Sequence, residues 1–197
     1  HFLPRALPVI SELLEISRGH AFILCTSIHN MQYFFSSLSE MVPYPIFRQG
    51  DKPRHLLLQE FKKTPNAVLC ATSSFWEGVD VKGDALRSVI IDKLPFQVPT
   101  EPVVAARLNR IRERGGDPFL EYTVPEAIIS LKQGLGRLIR SRSDAGILAI
   151  LDSRICTQQY GPLFVQSLPK CKVTDTMDLL KHFLIYQEAE NGKDKSP

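Results

Sequence analysis

The chain lacks most of the signatures that would mark a self-sufficient catalyst. Its four cysteines, Cys25, Cys70, Cys156 and Cys171, show no C-x-x-C spacing, and its five histidines are scattered without a metal-ligand pattern. No G-x-x-x-x-G-K-[ST] phosphate loop occurs; Gly192-Lys193 is followed by Asp194 and lacks the rest. No G-x-G-x-x-G follows a strand-like run, which argues against a cofactor or nucleotide-sugar enzyme on a Rossmann-like fold. No apolar run reaches membrane-spanning length and no basic-then-apolar leader opens the chain, so no membrane partner is expected and the cytoplasm is the expected compartment. Charge is nearly balanced at +3, with a pI near 8.7, which permits an anionic partner without demanding one. The chain opens on His1 rather than methionine, as expected of a piece of something larger.

What is present is ordinary globular composition, 44% hydrophobic and 23% charged over 197 residues, enough for one domain. Helix-period segments alternate with short apolar runs. Arg5–Ser17 carries Leu7, Ile10, Leu13 and Leu14 at helical spacing, and helices are expected over 28–41, from Pro53, and over 101–114. The runs 21–26 (AFILCT), 67–71 (AVLCA), 86–91 and 147–151, with a shorter one at 44–48, suit strands covered on both faces. Cys25 and Cys70 lie inside such runs, where a thiol behaves as a small hydrophobe. The alternation predicts an α/β fold: an open parallel sheet with helices on both faces. The domain is placed at residues 1–188, with a disordered polar tail over 189–197.

In such folds ligands bind outside the carboxyl ends of the strands, and the informative residues fall there. After the first strand come Thr26, Ser27, Ile28, His29 and Asn30, opening a helix whose positive end suits a phosphate. Ser27 is equally suited to plain N-capping. After AVLCA comes Thr72-Ser73-Ser74-Phe75-Trp76-Glu77-Gly78-Val79-Asp80. Its hydroxyls can bond a nucleic-acid backbone and Asp80 can accept from a ribose hydroxyl. Trp76, the one tryptophan, fits either stacking on a base or packing between domains.

The most informative run is Gln133-Gly-Leu-Gly-Arg-Leu-Ile-Arg140. At about 100° per residue, Gln133, Arg137 and Arg140 fall within roughly 60° of arc, opposite Leu131, Leu135, Leu138 and Ile139. No acidic residue lies between Ala127 and Ser143 to neutralise them. Planar, multi-donor cations suit phosphate oxygens; a solvated basic face is the alternative. Gly134 and Gly136 each cost about 1 kcal/mol against alanine inside a helix, which points to close approach to this backbone. The arginines of helix 101–114 (Arg107, Arg110, Arg114) fit either modest backbone contacts or a solvated face.

Taken in order, these segments resemble helicase motifs IV, V and VI: T-S at a strand end, then A-T-S-S-F-W-E-G-V-D-V-K-G, then Q-G-L-G-R-L-I-R-S-x-x-D-x-G-x-L-x-I-L-D-x-R. The likeness runs from about His20 to Pro169. It is to the second motor domain of bacterial DinG helicases, superfamily 2 relatives of the XPD helicases. The resemblance implies a RecA-like (P-loop NTPase-type) lobe lacking its own phosphate loop, closing over ATP and Mg held mainly by a preceding lobe. It implies that Arg137 and Arg140 reach the γ-phosphate, one as arginine finger. Gln133, Glu77, Gly78 and Asp80 would lie on the nucleotide side, and Ser27, His29, Thr72, Ser73 and Trp76 on single-stranded DNA. Asp152 and Arg154 match the D-x-R ending, expected to form a structural hydrogen bond. It further implies 5′→3′ movement and a role in DNA repair or replication. A D-E-x-H box is missing along with the phosphate loop. The cysteines that hold an iron–sulfur cluster in many members belong to the preceding lobe, so a cluster is possible in the full-length protein but not expected in this chain. The chain is therefore expected to be half a motor, inactive alone. A non-catalytic module binding single-stranded nucleic acid on the same fold is the competing reading.

Overall fold

A computed structural model describes residues 2–72, 75, 86–96, 101–135 and 146–184, the side chains of 134 and 135 excepted. Five parallel strands form one sheet: β1 (Ala21–Cys25), β2 (Ile46–Arg48), β3 (Val68–Thr72), β4 (Ser88–Ile91) and β5 (Ile147–Ile150), in spatial order β2-β3-β1-β4-β5. Residues in β1, β3 and β4 are buried throughout, because helices cover both faces, and this is why their sequences read as unbroken apolar runs rather than alternating ones.

The helices include α1 (Phe2–Ser17), α2 (Ile28–Met41), α3 (Arg54–Lys63), α4 (Pro102–Glu113), α5 (Val124–Leu135), α6 (Arg154–Thr157) and α7 (Gly161–Ser167). On one face α1 and α2 pack Ile10, Leu13, Leu14, Phe34 and Leu38 against Ala21, Ile23, Cys25, Val68, Cys70 and Ile90. On the other, Leu57 and Phe61 of α3, Val124, Ala127 and Leu131 of α5 and Phe164 of α7 pack against Phe22, Leu24, Leu69, Ala71, Val89 and Ile91. The odd–even split along β1 is the period-2 pleat with both sides dry.

α1 begins at Phe2 rather than at Arg5. Pro4 sits in the first turn, where its missing N–H would have no partner, and only Pro8, inside the helix, forfeits an intrahelical bond. β4 enters the ladder at Ser88 instead of Leu86, since Arg87 and Ser88 both donate their amides to the His20 carbonyl. Between α4 and α5 a π-helical turn, Phe119–Thr123, starts where Asp117 Oδ1 accepts from the Phe119 amide at 2.8 Å. The tail placed at 189–197 lies outside the described residues. Among the described residues no helix is long and apolar enough to cross a membrane.

Candidate nucleotide and nucleic-acid interface

The sheet topology decides where a ligand-facing edge can form. From β1 the chain crosses towards β2, whereas from β4 it crosses towards β5, so the connections diverge at the β1–β4 pair. At that reversal stands Asp92, fully buried directly after β4. Its carboxylate accepts from the Thr26 amide (2.9 Å), the Thr26 hydroxyl (3.2 Å), the Asn30 side-chain amide (2.6 Å) and the Lys93 amide (2.7 Å). Burial pushes its pKa up, opposed by these donors, Asn30 foremost. The carboxylate thereby fixes the turn that carries Ser27 and His29. Ser27 adopts an extended backbone, accepts from the Asn30 amide at 3.1 Å and caps α2, so the capping role is met. Ser27 stays half-buried, and His29 projects into solvent beside it.

Cys25 pairs with Thr72 in the ladder, so Thr72 ends β3 alongside the Thr26–Ser27 turn. Its amide and hydroxyl both donate to Gln49 Oε1, at 2.8 and 3.0 Å. The structure thus brings Ser27, His29 and Thr72 to one edge. Gln133 is exposed in the last turn of α5 while Leu131 is fully buried, as their opposed helical positions require. Arg137, Arg140, Ser73, Trp76, Glu77, Gly78 and Asp80 lie outside the described residues.

A second carboxylate ties the end of β5 to the segment after β4. Asp152, after β5, accepts from the Leu94 amide (2.9 Å), the Arg154 amide (3.0 Å) and the Arg154 guanidinium (2.6 Å from Nη2 to Oδ2). Burial alone would lift the Asp152 pKa, yet the Arg154 guanidinium and the two amides outweigh it and hold it below its ordinary value. The same bond raises the pKa of Arg154. The D-x-R pair therefore makes the structural hydrogen bond expected of it. The Arg154 guanidinium also lies 5.3 Å from the centroid of Phe96, which meets Phe119, Tyr160 and Phe164 edge-on or tilted.

Gln49 and Asp92 hold this framework together and were not singled out in the sequence, and Asn30 was named there only as part of the helix opening. Asp92 follows an apolar run directly, which marks a strand end but not a buried carboxylate; Gln49 acts on a partner 23 residues away. The thiols of Cys25 and Cys70 are both pushed up by burial, Cys70 to about 12, while Cys156 and Cys171 are exposed. Among the described residues no three His, Cys, Asp or Glu side chains converge as a metal would need.

A family model described as the helicase C-terminal domain matches residues 10–171. The chain belongs to that family. This helicase C-terminal domain is 45% identical over 176 residues to the ATP-dependent DNA helicase YoaA of Haemophilus influenzae, covering 89% of this chain and 28% of that protein. It is 36% identical over 163 residues to the ATP-dependent helicase DinG of Mycobacterium tuberculosis, covering 83% of this chain and 24% of that one. A solved XPD helicase superposes on 87% of the domain and 31% of its own chain, with a TM-score of 0.67 at 16% identity, which shows a shared RecA-like fold. The chain spans about a quarter of the length of these curated relatives.

Proposed function

We propose that this domain is the second motor lobe of an ATP-dependent 5′→3′ DNA helicase acting in repair or replication. The ATP site is completed by a preceding lobe of the same polypeptide, which holds most of the triphosphate and Mg. The observation that carries the reading is the β1–β3 register: it sets Thr72 beside the Thr26–Ser27 turn, on the carboxyl edge, where the sequence also places motif V. The names of the relatives, ATP-dependent helicases both, support it.

On this reading Ser27, His29, Thr72, Ser73 and Trp76 lie along a single-stranded DNA backbone. Gln133, Glu77, Gly78 and Asp80 face the nucleotide. Arg137 and Arg140 meet the γ-phosphate when the two lobes shut, one of them as arginine finger. A guanidinium placed against charge that develops during phosphoryl transfer is worth about 10³–10⁵ in rate, or roughly 4–7 kcal/mol. Because the arginines and the phosphate loop sit on different lobes, that stabilisation is available only in the closed state. Hydrolysis is thereby coupled to lobe closure, and closure to the grip on DNA.

The reading is tested by comparing ATP hydrolysis of the full-length protein and of this chain, with and without a single-stranded oligodeoxynucleotide. The full-length protein is expected to show DNA-stimulated turnover and the chain none. A full-length protein that binds the oligonucleotide without hydrolysing ATP would instead establish the non-catalytic binding module.

A further inference from the structure

Of the twelve residues of α4 only Leu108 is buried, and among the described residues neither core on the sheet faces takes in a residue of this helix. It is held instead where the chain leaves it. The Gly115 and Gly116 amides donate to the Arg112 and Ile111 carbonyls, both at 2.9 Å, and Gly115 turns the chain at φ +79°. The Arg114 guanidinium pairs with Glu121, while Asp117 Oδ1 accepts from the Phe119 and Leu120 amides. The Phe119 ring then packs on Phe96 with 5.4 Å between centroids. Phe96 follows the end of β4 closely, so the return from α4 lands on the carboxyl edge of the sheet, the edge that also carries Ser27, His29 and Thr72.

The outward side of this helix is ordered by charge. At about 100° per residue, Val103, Arg107, Arg110 and Arg114 fall within roughly 60° of arc, well round the helix from Leu108. All four are exposed, and no acidic residue of α4 shares their stripe. Glu121 engages Arg114, but among the described residues no carboxylate pairs with Arg107 or Arg110, although Glu113 lies three positions past Arg110. Arg112, on the far side, donates to Asn109 Oδ1 at 2.7 Å. Arg107 to Arg110 is a rise of about 4.5 Å, and Arg114 lies about 6 Å further along. A stacked strand carries one phosphate per about 3.4 Å of its axis, so the row spans about three. Planar guanidiniums with several donors each are well matched to phosphate oxygens.

We propose that Arg107 and Arg110 form a phosphodiester-binding track, through which α4 adds backbone contacts to those of the Ser27–His29–Thr72 edge. The proposal rests on the reading of that edge as the one that meets single-stranded DNA. An acidic protein surface would answer the same two charges; the phosphodiester is favoured because the helix is rooted on the nucleic-acid edge and the row repeats along its axis as phosphates do. Both guanidiniums are solvated and free of carboxylates, so binding a strand breaks no ion pair and releases the counterions of the phosphates they meet. The contact is therefore independent of base sequence and sensitive to salt.

The test measures affinity of the full-length protein for a fluorescent single-stranded oligodeoxynucleotide across a range of salt concentrations. Each phosphate contact on a single strand adds about 0.7 to the slope of log affinity against log salt. The doubly substituted Arg107→Ala, Arg110→Ala protein is expected to bind about tenfold more weakly near 0.1 M salt, with a slope shallower by about 1.4. Arg107→Lys with Arg110→Lys keeps both charges and should keep the parental slope. Arg112→Ala removes the same charge from the far side of α4 and should leave the slope unaltered. An unchanged slope in the double alanine variant overturns the proposal and leaves an acidic protein as the partner of this face. So does an equal loss of slope in Arg112→Ala, which would make the effect one of net charge, or a double lysine variant as weak as the double alanine. A parent that does not bind the oligonucleotide defeats the nucleic-acid reading first, and this proposal with it.

Discussion

The Asn30 side-chain amide donates to the Asp92 carboxylate across 2.6 Å, joining the first turn of α2 to the end of β4 over 62 residues of chain. Asp92 is fully buried and Asn30 nearly so. Asp92→Ala leaves the buried Asn30 amide without an acceptor and removes the acceptor of the more exposed Thr26 donors, at an expected cost of about 2–3 kcal/mol. Asp92→Asn, which keeps one acceptor oxygen, should cost less. Urea unfolding midpoints at constant slope measure both; a loss under about 0.5 kcal/mol for the alanine variant would mean that other contacts hold the β1 and β4 ends.

The two buried carboxylates oppose each other in their response to pH. Asp152 has its pKa lowered by Arg154 and two amides, so the folded state holds fewer protons there than the unfolded chain. Its stabilisation is present above the ordinary aspartate range and is lost as pH falls from that range through the lowered folded value. Asp92 is shifted upward by burial, so its contribution declines as pH rises from that range through its folded value. Asp152→Asn is therefore expected to flatten the acid limb of a stability–pH curve, and Asp92→Asn to steepen it. Urea unfolding repeated between about pH 3.5 and pH 7 checks the signs; the same change of slope in both variants contradicts them.

Ser88, the first residue of β4, is fully buried, and its hydroxyl is the one such side-chain atom among the described residues without a hydrogen-bond partner. Removing an unpaired buried hydroxyl should not destabilise, and Ser88→Ala is expected to raise stability by up to about 1 kcal/mol. A loss of similar size in thermal or urea unfolding would show that the hydroxyl is paired.

Gly19 turns the chain into β1 at φ +70°, and a Cβ there would lie 2.0 Å from the Asn66 carbonyl oxygen. The clash is with backbone and cannot be relieved by a rotamer change. Gly19→Ala is expected to cost at least about 2 kcal/mol, combining strain and displacement of the turn before β3. A melting temperature within a degree or so of the parent would refute the close approach.

Much of the architecture is legible in residue order. AFILCT and AVLCA read as strands dry on both faces, and the burial of β1 and β3 bears this out. Ser27 as a cap follows from short-range chemistry, which residue order reports well, and Asp152 with Arg154 as a structural pair follows from the resemblance to the family's D-x-R ending. The Asp92 network, the Thr72–Gln49 hydrogen bonds and the bond from the Arg54 guanidinium to the Phe75 carbonyl are different in kind. Each joins residues more than twenty positions apart, and nothing in a hydrophobic period encodes which polar side chain will cross a strand end. β2 is half-buried and only three residues long, so its edge position is a matter of pairing rather than of composition. The π-helical turn before α5 likewise answers to the packing of Phe119 on Phe96 and Tyr160, not to a local propensity.

On the motor reading, a guanidinium on this lobe stabilises phosphoryl transfer to water in a site that the preceding lobe completes. The most direct measurement is DNA-stimulated ATP hydrolysis by the full-length protein carrying Arg140→Ala, with single-strand affinity measured in parallel. Turnover is expected to fall about 10³-fold or more, with affinity for the single strand within a few-fold of the parent. Turnover that survives the substitution would contradict that reading.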